Sequence, residues 1–255
     1  MSAARWPHDA YISAVGVEIA RMADAVHGVD PETPVPSCPE WTVAQLVTHT
    51  GAIHRWAAQM VRDLAPERLD RSALELGLPA DPRGYADWLA RGAEPLLAAF
   101  AAADPDAPMW AWGADQHVRF WFRRMLHETV VHRVDAELAA GREPRVDDAT
   151  AADGIDELLE NLPSAASSRP RIAELRGSGE AIALRGGGDD RWLVRLVADG
   201  FTWERGGSPD ATVTVTARTE DLLLLVYARR ELAPVRFAVS GDGRVLDHWL
   251  ERSAL

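Results

Sequence analysis

The spacing of apolar residues changes once along this 255-residue chain, and that change constrains the fold more than any other feature. Up to about residue 162, apolar side chains recur at the three- and four-residue intervals of amphipathic helices. Residues 163–171 have the composition of a linker, and from residue 172 apolar and polar residues alternate as they do in strands. The sequence therefore predicts an α+β protein, with a helical domain at residues 1–163 and a small α+β domain at residues 172–255.

The helical half contains five segments with helical spacing, at about residues 9–26, 42–64, 85–103, 115–140 and 148–162. Thr42 is placed to cap the second helix, Pro95 can interrupt the third, and Gly141 can end the fourth. On the fourth helix, one side is rich in charged residues and predicts a solvated face, formed by Arg119, Arg123, Arg133 and Glu137. These helices are expected to bury their opposite, apolar faces against one another.

The C-terminal third contains four strand candidates, AIALRG, RWLVRLVA, FTWERG and ATVTVTA, which are separated by glycine-rich turns. The pair Asp199-Gly200 predicts a tight hairpin between the second and third of them. Thr219 is placed to cap a helix that ends near Arg230, and residues 243–255 predict a last short helix. This pattern is typical of a meander covered by two helices.

The fourth helix places a carboxylate and an imidazole on one side, because Glu128 and His132 are four residues apart. Asp135 lies one further turn along the same side. A glutamate oxygen and a histidine nitrogen are two of the ligands that catalytic zinc sites use, and His49 on the second helix is the best candidate for a third. The alternative is a solvated Glu128 and a half-buried, hydrogen-bonded His132, which is the commoner state of such pairs.

Charge and cysteine content exclude several classes of partner and site. The net charge of −12, with no run of basic residues, argues against nucleic acid as a partner. Cys38 is the only cysteine, which excludes an intramolecular disulfide and fits a reducing compartment. The first twenty residues do not resemble a secretory signal, and the longest apolar run, residues 222–228, is too short to span a bilayer. We therefore expect a cytoplasmic protein without membrane contact.

Three stretches give the chain a resemblance to a known family: VPSCPEWTVAQLVTHTGAIHRW at residues 35–56, HETVVHRVD at 127–135 and EDLLLLVYARREL at 220–232. Together with the order of helices and strands, they resemble the mycothiol-dependent maleylpyruvate isomerase family. The resemblance implies a DinB-like four-helix bundle in the N-terminal half. It also implies a small sterol-carrier-like α+β domain in the C-terminal half.

The same resemblance implies a divalent metal, usually zinc, held by three ligands: His49, Glu128 and His132. It gives Asp135 a catalytic position where it can orient the polar groups of mycothiol, the thiol cosubstrate. It also implies that Arg229 or Arg230 meets a carboxylate of a small-molecule substrate from the second domain. Coordination to zinc would favour the thiolate of mycothiol, which would attack an electrophilic double bond in an isomerase or transferase reaction.

Other functions fit the same residues. An open position on the metal could bind an activated water, which would make the protein a metal-dependent hydrolase. The C-terminal domain could instead bind an apolar small molecule or a lipid without catalysis, with a structural metal in the bundle. A sensor of metal or thiol status is weaker, since the sequence offers no effector segment. We expect a monomer, because the second domain can cover part of the bundle.

Overall fold

The computed structural model describes residues 6–207 and 210–253. These residues form two compact units, one at residues 6–145 and one that begins at Val146. Helices dominate the first unit, and the second contains a five-stranded sheet with helices. The predicted α+β class, with a helical part followed by a sheet-containing part, is confirmed.

The N-terminal unit contains helices and one short antiparallel ribbon. In chain order its elements are α1 (His8–Val26), β1 (Pro34–Val35), β2 (Cys38–Thr42), α2 (Val43–Arg62), α3 (Tyr85–Arg91), α4 (Ala93–Ala102) and α5 (Val118–Ala139). Helix α1 packs along α5, and α2 packs against both α4 and α5. The apolar residues between them are almost fully buried, among them Val15, Ile19, Leu46, Met60 and Met125. We call residues 34–42, which contain β1 and β2, the ribbon.

Local sequence features fixed two helix ends where they were predicted. The Thr42 hydroxyl accepts a hydrogen bond from the Gln45 amide, and Oε1 of Gln45 accepts one from the Thr42 amide, so the predicted cap of α2 is confirmed. Gly141 follows the end of α5 with a φ of 70°, a conformation that glycine adopts without strain. Helix α5 itself begins at Val118, three residues later than predicted.

The third predicted helix is interrupted at Gly92 and not at Pro95. Helix α3 ends at Arg91, and α4 begins at Ala93. Pro95 lies in the first turn of α4, where no helical partner exists for the missing N–H. A Cβ atom on Gly92 would lie 2.5 Å from the guanidinium of Arg55, which packs against the turn. Because hydrogen bonds to the carbonyls of Gly51 and Trp88 hold the guanidinium of Arg55 in place, its close approach favours glycine at the break.

The predicted solvated face of α5 is wrong for Arg123 and Arg133, which are buried. Arg133 is 0% exposed, and its Nε donates to Oε2 of Glu18 on α1 at 2.8 Å. A second bond runs from its Nη1 to Glu137 at 2.6 Å. Helix α1 covers this side of α5 and supplies the acid that pairs with the arginine. The charge of Arg133 predicted exposure to solvent, but the side chain forms a buried ion pair with Glu18.

The C-terminal unit contains a mixed sheet and three helices among its described residues. Its elements are α6 (Asp148–Ala165), β3 (Ala181–Arg185), β4 (Arg191–Val197), β5 (Gly200–Arg205), β6 (Val213–Thr216), α7 (Thr219–Val226), β7 (Ala238–Gly241) and α8 (Gly243–Ser253). The strand order is β5-β4-β3-β6-β7. Strands β3, β4 and β5 form an antiparallel meander, β6 pairs with β3 in parallel, and β7 is an antiparallel edge strand.

The four predicted strands are present, and so is the tight hairpin, since only two residues separate β4 from β5. The sequence did not predict β7, which is four residues long and exposed throughout. Helix α7 ends at Val226, earlier than predicted. Thr219 is its first residue and not its cap, because the hydroxyl accepts from the Gly187 amide and donates to Asp190.

Helix α6 belongs to the C-terminal unit, so the division at residues 145 and 146 differs from the boundary predicted after residue 163. Asp156 on α6 is 1% exposed and accepts a hydrogen bond from the indole of Trp192 at 2.7 Å. The guanidinium of Arg205 also donates to Asp156, at 2.8 and 2.9 Å. These contacts with β4 and β5 hold α6 on the sheet. No described helix is both long and apolar enough to cross a membrane.

Candidate metal centre

Helices α2 and α5 bring three of the predicted site residues together. His49 lies on α2, while Glu128 and His132 lie one turn apart on α5. The Nε2 atoms of both histidines are 3.4 Å from Oε1 of Glu128. One ligand atom from each residue lies within 4.8 Å of the other two. The two imidazole rings are 5.0 Å apart and nearly perpendicular, at 83°.

The two nitrogen–oxygen separations suit a tetrahedral cation. Zinc bonds to histidine nitrogen and carboxylate oxygen are about 2.0–2.2 Å long, so neighbouring corners of the tetrahedron are about 3.3–3.6 Å apart. Both nitrogen–oxygen separations of 3.4 Å fall in that range. Two imidazoles and one carboxylate are also a donor set that zinc accepts. The residues therefore fit the metal that the sequence predicts, and three protein ligands leave a fourth position open.

The three side chains are partly accessible. The exposed fractions are 31% for the His49 side chain, 21% for Glu128 and 10% for His132. A structural metal site is normally closed by four protein ligands, whereas a catalytic site keeps access for water or a substrate. The partial exposure of Glu128 and His49 is typical of a catalytic site.

Glu128 is held in its charged form by its neighbours. Burial would raise the pKa of this carboxyl, but hydrogen bonds with His132 and His49 lower the pKa well below its usual value. Its second oxygen, Oε2, accepts from Nη2 of Arg124 at 3.2 Å. Arg124 was not predicted as a site residue. The sequence spacing could have identified it, because Arg124 and Glu128 are four residues apart on one helix and such side chains are neighbours.

Asp135 contacts the other nitrogen of His132. The Nδ1 atom of His132 lies 2.9 Å from Oδ2 of Asp135, whose side chain is 0% exposed. Burial opposes protonation of His132, but its hydrogen bonds to Asp135 and Glu128 raise its pKa to about 9. The predicted contact between Asp135 and mycothiol stays a prediction.

The ribbon covers the centre and contributes residues that the sequence did not identify. The Ser37 hydroxyl donates to Oδ1 of Asp135 at 2.6 Å, and Sγ of Cys38 lies 3.7 Å from Oδ2. The indole of Trp41 lies 4.6 Å from the His49 ring and 5.8 Å from the His132 ring, measured between centroids. These three residues lie in the same sequence stretch as His49, and that closeness along the chain is the feature that could have identified them as site residues.

Arg229 and Arg230 lie in the C-terminal unit, just after the end of α7. Nη1 of Arg229 donates to the carbonyl of Tyr227 at 2.7 Å, and Arg230 forms an ion pair with the buried Asp221. Burial opposes ionisation of Asp221, but hydrogen bonds from Arg218 and Arg230 lower its pKa. The predicted contact of these arginines with a substrate carboxylate stays a prediction.

Two family models match the chain. The mycothiol maleylpyruvate isomerase N-terminal domain matches residues 12–137, which include the three candidate ligands. The MDMPI C-terminal domain matches residues 149–248, which begin close to the start of α6. Among curated proteins, none matches the chain.

Two solved structures are similar over almost the whole chain. A crystal structure of the mycothiol-dependent maleylpyruvate isomerase has 14% sequence identity and a TM-score of 0.57, covering 92% of this chain and 93% of its own. A crystal structure of a histidine-to-alanine mutant of the mycothiol-dependent maleylpyruvate isomerase has 12% identity and a TM-score of 0.61, with the same coverage. At these identities the likeness concerns the fold.

Proposed function

The chain belongs to the mycothiol maleylpyruvate isomerase family, and we propose that it is a metal-dependent enzyme that uses mycothiol as a thiol cosubstrate. The reaction class is isomerisation or transfer, in which a thiolate attacks a small electrophilic substrate such as a cis-enoyl diacid. The observation that carries the proposal is that three candidate ligand atoms lie within 4.8 Å of one another, with both nitrogen–oxygen separations at the spacing of zinc ligands.

His49, Glu128 and His132 would hold the metal, most consistently zinc. When bound there, zinc supplies Lewis acidity that favours the thiolate form of a coordinated thiol at neutral pH. Arg124 donates to Oε2 of Glu128 while both histidines contact Oε1, which fixes the orientation of the carboxylate. Trp41 packs beside both imidazoles.

The substrate would be held by other groups of the chain. A diacid needs a cation that binds carboxylate oxygens, and a guanidinium does this with two parallel hydrogen bonds. Arg229 and Arg230 are the candidates that the family resemblance offers for this role. The addition of a thiolate to a double bond, rotation about the resulting single bond and loss of the thiolate return the thiol unchanged, so mycothiol acts catalytically in isomerisation.

The first test is the metal content of the purified, untagged protein beside three variants: His49→Ala, Glu128→Ala and His27→Ala. We expect about one zinc per chain in the wild type and a loss of zinc in the first two variants. His27 is an exposed histidine in the same unit and serves as the matched control, so its variant should retain zinc. A wild type that takes up no metal, even after reconstitution, would refute the metal-dependent function.

The second test separates thiol-dependent chemistry from hydrolysis. Maleylpyruvate is offered to the zinc-loaded protein with and without mycothiol, and isomerisation is followed by the change in absorbance. We expect turnover only with the thiol, and a loss of turnover in Glu128→Ala. Zinc binding together with thiol-independent cleavage of ester or amide substrates would favour the metal-dependent hydrolase instead.

A further inference from the structure

A buried carboxylate at the end of the candidate centre has an arrangement that the family resemblance does not explain. Asp135 is 0% exposed, and a carboxylate without solvent needs hydrogen-bond donors that replace water. Its Oδ2 faces Nδ1 of His132 at 2.9 Å, and its Oδ1 accepts from the Ser37 hydroxyl at 2.6 Å. The thiol of Cys38, a weak donor, lies 3.7 Å from Oδ2. Protein groups therefore contact both oxygens of Asp135.

The two nitrogens of His132 face different partners. Nε2 points to Glu128 at 3.4 Å, in the position of a metal ligand, and Nδ1 points to Asp135. A histidine that binds a metal through Nε2 must carry its proton on Nδ1, and a carboxylate acceptor at Nδ1 selects that tautomer and fixes the ring. Asp135 is the acceptor that this arrangement requires.

Ser37 fixes the acceptor in turn. The terminal torsion of an aspartate is broad, so a carboxylate that is held at one oxygen only can rotate away from its partner. The hydroxyl of Ser37 holds Oδ1, which leaves Oδ2 directed at His132. Ser37 is 98 residues away in the chain and lies on the ribbon, which also places Trp41 beside both imidazoles.

We propose that Ser37 and Asp135 are positioning residues. A chain of hydrogen bonds from Ser37 on the ribbon through Asp135 to His132 fixes the tautomer and ring orientation of this candidate metal ligand. In this role Asp135 acts through His132. The proposal rests on the proposed metal-dependent function. It adds a residue, Ser37, and a function for the ribbon that the three ligands do not supply.

The experiment measures zinc affinity by competition with a chromophoric chelator, which requires no knowledge of the substrate. Asp135→Asn keeps the size of the side chain but removes its charge, and we expect affinity about 10- to 100-fold lower than that of the wild type. Ser37→Ala should lower affinity by a smaller factor, whereas Ser37→Thr keeps the hydroxyl and should restore most of it. Ser13→Ala, at an exposed serine of α1, is the matched control.

The double variant gives the sharpest result. If Ser37 acts through Asp135, the variant with both Ser37→Ala and Asp135→Asn should bind zinc as weakly as Asp135→Asn alone. Independent effects would multiply, and that outcome would overturn the chain of hydrogen bonds. Should Asp135→Asn fail to fold, Ser37→Ala and Ser37→Thr still decide the matter, because equal affinity in both would refute the role of the hydroxyl.

Failure of this inference is distinguishable from failure of the proposed function. A wild type that binds zinc tightly, together with Asp135→Asn and Ser37→Ala variants of unchanged affinity, would refute the positioning role alone. A wild type that binds no zinc would refute both. The visible absorption of the cobalt-loaded protein is a second measurement, since a reoriented His132 alters the ligand geometry and shifts the bands.

Discussion

Replacement of Gly51 by alanine should destabilise the N-terminal unit, although alanine is the better helix former. Gly51 lies inside α2, and the change removes the entropic penalty of glycine, worth about 1 kcal/mol in favour of alanine. The new Cβ would, however, lie within 2.5 Å of two ring carbons of Trp88 on α3. No carbon pair tolerates that distance, so the ring or the helix must move.

Trp88 cannot move cheaply. The residue is 2% exposed, its indole N–H donates to the carbonyl of Leu76 at 2.8 Å, and the guanidinium of Arg55 lies 3.8 Å from the ring centroid. Overpacking of a closed core costs about 1–3 kcal/mol and more where neighbours are fixed. With about 3 kcal/mol lost to the clash and about 1 kcal/mol gained in propensity, we expect a net loss of about 2 kcal/mol.

Urea unfolding followed by tryptophan fluorescence measures this loss. The matched control is Gly16→Ala in α1, whose Cβ would lie 3.0 Å from a terminal methyl group of Leu97. That methyl lies at the end of a flexible side chain and can give way, so the control should change the free energy of unfolding by less than about 1 kcal/mol. A Gly51→Ala protein as stable as the wild type would refute the packing argument.

Three further outcomes are expected. Arg133→Met should lower the free energy of unfolding by about 1–3 kcal/mol, because Oε2 of the buried Glu18 loses its donor on α5 while Arg21 still donates to Oε1; urea unfolding checks this, and an unchanged stability would contradict it. His54 is fully buried, and burial lowers its pKa from 6.5 to about 3. Between pH 3 and pH 6.5, therefore, this histidine binds a proton in the unfolded chain but not in the folded protein. The stability contributed by neutral His54 is therefore complete above pH 6.5 and falls by up to about 1.4 kcal/mol per pH unit below it. When unfolding is measured from pH 4 to 7, the free energy of unfolding should depend less steeply on pH in His54→Gln than in the wild type, and equal slopes would contradict the assignment. Asp221→Asn should destabilise the C-terminal unit by about 2 kcal/mol, because it removes the buried carboxylate that pairs with the guanidinium of Arg230; thermal unfolding detects the loss, and an unchanged Tm would contradict it.

Several features of the fold follow from the sequence because they depend on neighbours along the chain. The periods of apolar residues gave the helices and four of the five described strands of the sheet. The capping box at Thr42 and the glycine after α5 are local hydrogen-bond and backbone effects, so the sequence located them within a few residues. Glu128 and His132 share one side of α5 for the same reason, since helical geometry alone brings positions four apart together.

The tertiary structure decided which distant groups meet. His49 could be named as a third ligand from the sequence, but only the packing of α2 on α5 brings its Nε2 to 3.4 Å from Glu128. The burial of Arg133, the place of α6 on the sheet and the contact of Ser37 with Asp135 depend in the same way on partners far along the chain. A charged residue is solvated or buried according to what packs beside it, and the periodicity of its own helix does not contain that information.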